Sequence, residues 1–190
     1  MKYRAVLLMA CAILALASSP TCAQSVPLGG LDLSSWINVA TAASRNQTEY
    51  VRSLLASGET ADVTDTDGQS PLGYAASFGN AEMARLLLKY DAPVDRRDKF
   101  GNAPLHWASQ RGSLEVMQLL LDAKATVDPQ NKQGITPLMM AAGRGQLAAV
   151  RLLLRRGADP QKQDYAGRDA ASWAEGKANV LQALRSAKAG

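Results

Sequence analysis

The sequence predicts an all-α solenoid, a stack of helix–turn–helix units with an extended surface. Three recurrences predict it. Gly68 returns at Gly101, Gly134 and Gly167, each step 33 residues. Pro71 returns at Pro104 and Pro137, and the triplet Leu86-Leu87-Leu88 returns as Leu119-Leu120-Leu121 and Leu152-Leu153-Leu154. A fixed period of this length marks stacked supersecondary units that bury their apolar faces against one another. Aromatic residues make up only 5% of the chain, which suits helices packed closely through alanine and leucine.

The first residues have the pattern of an export leader. Lys2 and Arg4 precede an uninterrupted apolar run from Ala5 to Ala17, which Ser18-Ser19-Pro20 breaks. Thr21-Cys22-Ala23 then puts small residues at the usual cleavage positions, so residues 1–23 are expected to leave as a signal peptide. The apolar run is shorter than the roughly 20 residues a spanning helix needs. No membrane attachment is therefore expected after cleavage. Both cysteines, Cys11 and Cys22, fall in this leader, so the processed chain has no disulfide to form. The formal net charge of +4 drops when Lys2 and Arg4 are removed, too little to argue for nucleic acid.

Residues 24–33 carry Pro27, Gly29 and Gly30 and read as a linker. Residues 34–63 hold two amphipathic stretches in the 33-residue register but lack the turn glycine and the proline. One begins near Ser34 or Ser35 as N-cap, with Trp36 and Ile37 on its apolar side. The other runs from about Thr48 to Ala56. This unit is expected to cap the array at its N-terminal end.

Three full units follow, at 64–96, 97–129 and 130–162. In each, a tight turn ends at glycine and a first helix opens. Ser70-Pro71 and Thr136-Pro137 combine a hydroxyl N-cap with proline at the first helical position. Ala103-Pro104 lacks the hydroxyl and is expected to forgo about 0.5–2 kcal/mol. First helices should stop at Gly79, Gly112 and Gly145. Second helices carry the leucine triplets and should end at Asp91, Lys124 and Gly157, with mild strain at the lysine if its φ is positive. The last unit, 163–190, has Asp169 as a cap, no proline, and a loop before its second helix that is two residues short. It is expected to be the C-terminal cap.

Asn131 to Asp159 reads N-K-Q-G-I-T-P-L-M-M-A-A-G-R-G-Q-L-A-A-V-R-L-L-L-R-R-G-A-D. With the Gly101–Ala108 stretch G-N-A-P-L-H-W-A, this closely resembles the ankyrin repeat. The resemblance runs from about Ser35 to the C-terminus. Departures are Gly73 and Met139, where the family prefers histidine, and Ala103, where it prefers threonine. The resemblance implies an ankyrin-repeat solenoid with projecting β-turn tips and a concave groove that binds proteins without catalysis. An export leader joined to such an array resembles periplasmic ankyrin proteins of Gram-negative bacteria. Periplasmic residence as a monomer is the expectation, with secretion onward to act on host proteins as the alternative. The partner would be a protein, for instance a periplasmic enzyme that is protected, inhibited or assembled.

The positions left free by the repeat framework are the turn tips and the ends of the first helices. They supply the candidate partner-binding residues Asp67, Phe78, Lys99, Phe100, Asn102, Arg111, Lys132, Arg144, Tyr165 and Arg168, with Ile135 among their neighbours. Phe100, Tyr165, Arg111 and Arg144 are expected to contribute most, since aromatic and arginine side chains are frequent interface anchors. Their cationic bias points to an acidic partner surface. Tyr74, Trp107, Met140 and Trp173 share one register position and read as packing between adjacent first helices. His106 is the sole histidine. A hydrolase would have to use it as base, but the resemblance gives it a structural role between turns. No metal, haem or other cofactor site is expected, and no phosphate-binding glycine motif is present.

Overall fold

The computed structural model describes residues 38–188. The leader, the linker and the proposed helix start at Ser34 to Ile37 lie outside the described residues. Among the described residues there are ten helices and no strand. They come in five consecutive pairs: α1 (Val39–Ser44) with α2 (Thr48–Ala56), α3 (Pro71–Phe78) with α4 (Ala81–Lys89), α5 (Pro104–Arg111) with α6 (Leu114–Asp122), α7 (Pro137–Gly143) with α8 (Leu147–Arg155), and α9 (Ala170–Trp173) with α10 (Ala178–Lys188). First helices pack on first helices and second on second, so the core is one continuous seam along the stack. Leu72, Leu105 and Leu138 on the first helices, and Leu87, Leu120 and Leu153 on the second, are fully buried. Each such leucine is worth about 1.5–3 kcal/mol of burial.

The caps are those of the repeat, with two corrections. Ser70 Oγ accepts from the Gly73 N–H at 3.0 Å, Thr136 Oγ1 from Met139 at 3.3 Å, and Asp169 Oδ1 from Ser172 at 2.8 Å. The cap of α1 is Asn38, whose Oδ1 accepts from the Thr41 N–H at 2.9 Å, rather than a serine at 34 or 35. Asn38 stands one register step before Pro71, so α1 is capped one residue later in register than the helices capped at Ser70, Thr136 and Asp169. At Ala103 no side chain caps the helix from within the N-cap residue, as expected. Instead His106 Nδ1 reaches back and accepts the Ala103 N–H at 3.1 Å, so part of the missing cap is restored from the third helical residue. The thioether of Met139 occupies the same role in the next unit, Sδ accepting from Thr136 N–H at 3.4 Å.

Second helices end in a left-handed residue followed by a buried alanine. Asp91 has φ 57°, Lys124 66° and Gly157 89°. Ala92, Ala125 and Ala158 each donate their N–H back to Leu87, Leu120 and Leu153, at 3.1, 2.9 and 3.0 Å. This is the paired backbone closure that a left-handed C-terminal residue permits. The N-terminal unit uses Gly58, φ 97°, at the same place. The C-terminal unit is trimmed as expected: α9 has four residues and α10 starts two residues early in register.

One turn glycine is required twice over. Gly101 has φ 83°, and a Cβ there would lie 2.9 Å from the backbone nitrogen of Lys132. The next turn is stacked directly against it.

Two imperfections stand out against the repeat, one buried and one exposed. Ser109 is fully buried with no partner for Oγ, where the register places Ala43, Ala76 and Ala142. Lys124 holds a left-handed conformation that Gly58 and Gly157 adopt without strain. Ser109→Ala and Lys124→Gly are each expected to raise stability by about 1 kcal/mol, from removing an unsatisfied buried hydroxyl and from relieving a left-handed lysine. Leu120→Ala should instead cost roughly 2–5 kcal/mol. Urea midpoints of the three variants, at unchanged slope, check all three signs.

Candidate partner-binding face

The turn tips are built by one residue type at one register position. Asp65, Asp98, Asn131 and Asp164 open the four turns. Each Oδ1 accepts two backbone N–H groups, from residues two and four further on, at 2.8–3.0 Å. The carboxylates then use their second oxygen on the first helix of their own unit. Asp65 Oδ2 accepts from the Tyr74 hydroxyl, Asp98 Oδ2 from Trp107 Nε1 at 3.2 Å, and Asp164 Oδ2 from Trp173 Nε1 at 3.0 Å. The partner is always nine residues on. Where the acceptor is Asn131 the residue nine on is Met140, which has no donor to offer, and the Asn131 amide donates sideways to Asn102 Oδ1 at 2.8 Å. Asp and aromatic donor occur together, and Asn and methionine occur together, within one chain.

Adjacent tips are joined by backbone. Lys99 N–H donates to Asp67 O at 2.9 Å, Lys132 to Phe100 O at 3.0 Å, and Tyr165 to Gln133 O at 3.0 Å. The tips therefore form a hydrogen-bonded ladder, and three of its four turns are held to the helices behind them by an aspartate.

These constraints lay out a face in three lanes. The tip lane carries Lys99, Phe100, Lys132 and Tyr165. The floor carries Tyr74, Trp107, Met140 and Trp173, all partly buried. The far lane, at the ends of the first helices, carries Phe78, Arg111 and Arg144, which share a register position. Phe100 is 53% exposed and Tyr165 76%. Phe78 is less free, its ring stacked on Tyr74 at 6.3 Å between centroids. The floor aromatics pack against the core, as the sequence indicated, but they also hold the turns. The sequence reading missed that second role. The signal was present in the recurrence of Asp or Asn nine residues ahead of each.

Two expected site residues are framework. Asn102 is 6% exposed; it donates Nδ2 to Asp98 Oδ2 at 3.2 Å and accepts from Asn131. Ile135, in the same lane, is also buried. At the position after the turn glycine Asn102 and Ile135 are buried, Gln69 is half-buried and Arg168 is exposed.

The face is less cationic than its composition suggests. Asp67 pairs with Lys99 Nζ at 2.8 Å, and Arg168 pairs with Asp164 at 2.8 Å while lying over Trp173 at 4.7 Å. Among the described residues no ion pair involves Arg111, Lys132 or Arg144. Charge is also uneven along the array. Residues 38–100 carry seven lysines and arginines against nine aspartates and glutamates, whereas residues 101–188 carry twelve against seven. The overall +4 conceals a basic C-terminal half.

Two of the turn carboxylates, Asp65 and Asp164, titrate accordingly. Burial pushes Asp65 up, but the Tyr74 hydroxyl, the Gln69 and Asp67 N–H groups and Lys99 together hold it below the ordinary carboxylate value. Asp164 is likewise held low against burial, by the N–H and guanidinium of Arg168, by Trp173 and by the Ala166 N–H. Burial and the Asp65 carboxylate push the Tyr74 phenol up to about 12. It stays a donor at any physiological pH.

His106 has no route to a substrate. It is fully buried. Nδ1 accepts from Ala103, so the proton is on Nε2, which donates to Ile135 O of the next unit at 3.0 Å. It links two repeats, and the triad reading loses its base. Among the described residues no group of three or more His, Cys, Asp or Glu is placed to hold a metal ion, and no helix is long and apolar enough to cross a membrane.

A family model described as "Ankyrin repeats (3 copies)" matches residues 39–131, and a model described as "Ankyrin repeat" matches residues 133–165. No curated protein matches the chain.

Burial holds the His106 pKa below its ordinary value, with Arg97 adding to the effect and the Ile135 and Ala103 hydrogen bonds and Asp98 opposing it. The unfolded chain, titrating near pH 6.5, takes up the proton first as pH falls. The contribution of His106 to stability is thus complete above about pH 6.5 and declines below it. Asp65 and Asp164, both held low, lose theirs in a separate window, below about pH 4. Melting temperatures measured from about pH 7.5 to 5.5 should fall for the wild type and much less for His106→Met, which places at position 106 the side chain that serves at 139. Equal slopes would show that protonation of His106 is not what the fold resists.

Proposed function

The chain belongs to the ankyrin-repeat family, and on that premise we propose that it is a non-catalytic protein-binding module, exported to the periplasm, whose concave face engages an acidic surface of a protein partner. Ankyrin repeats are generic protein–protein interaction modules. The observation that carries the finer reading is the rigid ladder of tips. It presents Phe100 and Tyr165 beside the unpaired cations Arg111, Lys132 and Arg144. Side chains held this way lose little freedom on binding, which raises affinity without further contacts. The basic bias of residues 101–188 supports an acidic partner and a preferred orientation along the array. Export rests on the leader pattern of residues 1–23 alone. Protection, inhibition or assembly of a periplasmic enzyme are the outcomes such binding would have.

Affinity capture from periplasmic extract tests this. The chain from Gln24 should retain a protein that the triple variant Phe100→Ala, Arg111→Glu, Arg144→Glu does not, and retention should weaken as salt screens the surface charges. The three substituted side chains are exposed, so the variant should melt within about 0.5 kcal/mol per site of the wild type. Equal retention by both would move the site off this face. Recovery of the native protein only from culture medium would replace periplasmic residence with secretion.

A further inference from the structure

Two open clefts adjoin on the concave face, and they share Trp107 and Ser77. The first, about 290 Å³, is lined by Asp67, Gln69, Tyr74, Asp98 and Phe100 as well. Its polar groups are already committed: Asp98 to its own turn and to Trp107, Asp67 to Lys99. What it offers is aromatic surface from Tyr74, Phe100 and Trp107. The second, about 400 Å³, is lined by Gln110, Arg111, Arg144 and Gln146 in addition. Neither arginine is in an ion pair among the described residues. Arg111 is steadied by neutral partners only: Nη1 donates to Ser77 O at 3.3 Å, and the chain lies across Gly79, where a Cβ would meet Nε at 2.8 Å. Gln146 is fixed by its own bond to Arg111 O at 3.1 Å. The second cleft therefore keeps two full positive charges and no carboxylate.

We infer that this pair of clefts reads a two-residue signature in an extended partner segment, a large apolar side chain over Tyr74, Phe100 and Trp107 with an aspartate or glutamate beside it between Arg111 and Arg144. The inference rests on the protein-binding reading of this face and narrows it to one partner chemistry. Charge complementarity selects the acid, because the cations that line a cleft with Trp107 are in no ion pair among the described residues, while Lys99 is neutralised by Asp67. The open form of both clefts selects a chain segment over a free small molecule, which would need most of its surface enclosed. A guanidinium pair favours a carboxylate through charge-assisted hydrogen bonds, and the aromatic wall supplies the anchor.

The test is selection of a phage-displayed library of random twelve-residue peptides on the immobilised protein, followed by fluorescence anisotropy with blocked synthetic copies of the selected sequences. Selected peptides should carry an acidic residue close to a large apolar one. Arg111→Glu with Arg144→Glu should weaken them by roughly tenfold or more, while Arg155→Glu, at the exposed end of α8 and outside both clefts, should change affinity much less. Phe100→Ala should weaken the same peptides, and replacing the peptide's apolar residue should then cost little more. Unchanged melting of the variants separates these effects from misfolding. Selected peptides without an acidic residue, or acidic peptides indifferent to Arg111 and Arg144, would overturn the inference while leaving a binding face. Absence of any selected peptide, with a protein still captured from extract by the same face, would mean recognition of a folded surface and would also overturn it. Failure of both capture and selection would remove the functional reading itself.

Discussion

The structure depends on a carboxylate that does two jobs. At the head of three of the four turns one aspartate oxygen closes the turn by accepting two backbone N–H groups, and the other oxygen ties that turn to an aromatic donor on the helix behind; Asn131 closes the remaining turn and donates its amide to Asn102. Turns of this length would otherwise flex, since loops far from a core make few buried contacts. Here the tips become a rigid edge of the solenoid. The ladder of Lys99, Lys132 and Tyr165 N–H groups then aligns neighbouring tips. It is only possible because glycine at 101 and 134 lets the turns approach so closely.

Much of the fold was legible because a repeat states its framework several times. Recurrence identified the helix pairs, the caps at Ser70, Thr136 and Asp169, and the left-handed endings at Asp91 and Lys124. It was least informative where a unit departs from its neighbours. Ala103 looked like a lost cap, but a histidine three residues on supplies an acceptor, and only the fold shows Nδ1 turned toward that N–H. The N-terminal unit looked as if it began at a serine, while Asn38, one residue later in register than the other caps, holds the cap.

The site was legible in outline and misread in one lane. Exposure changes within one turn, so Phe100 is exposed while Asn102, two residues away, is buried. A sequence shows that 102 is variable among the copies (Gln69, Asn102, Ile135, Arg168) and variability resembles freedom. Solvent access actually depends on what packs on the side chain: Asn102 is bonded to Asp98 and to Asn131 of the next turn, whereas Arg168 lies exposed over Trp173. Pairing was also invisible: Lys99 and Arg168 count as charges in composition, yet each meets a carboxylate. The cations left over gather at Arg111, Lys132 and Arg144, in the half of the array that is basic.

Rigid presentation is the claim on which the functional account stands, and native-state hydrogen exchange measures it directly. The amides of Lys99, Lys132 and Tyr165, which form the tip ladder, and those of Phe100 and Asn102, which Asp98 holds, should exchange only through openings comparable in free energy to those of α5 and α7. Exchange of these tip amides at the rate of a free loop, while the helices remain protected, would contradict the account, because the face would then have to be ordered by its partner.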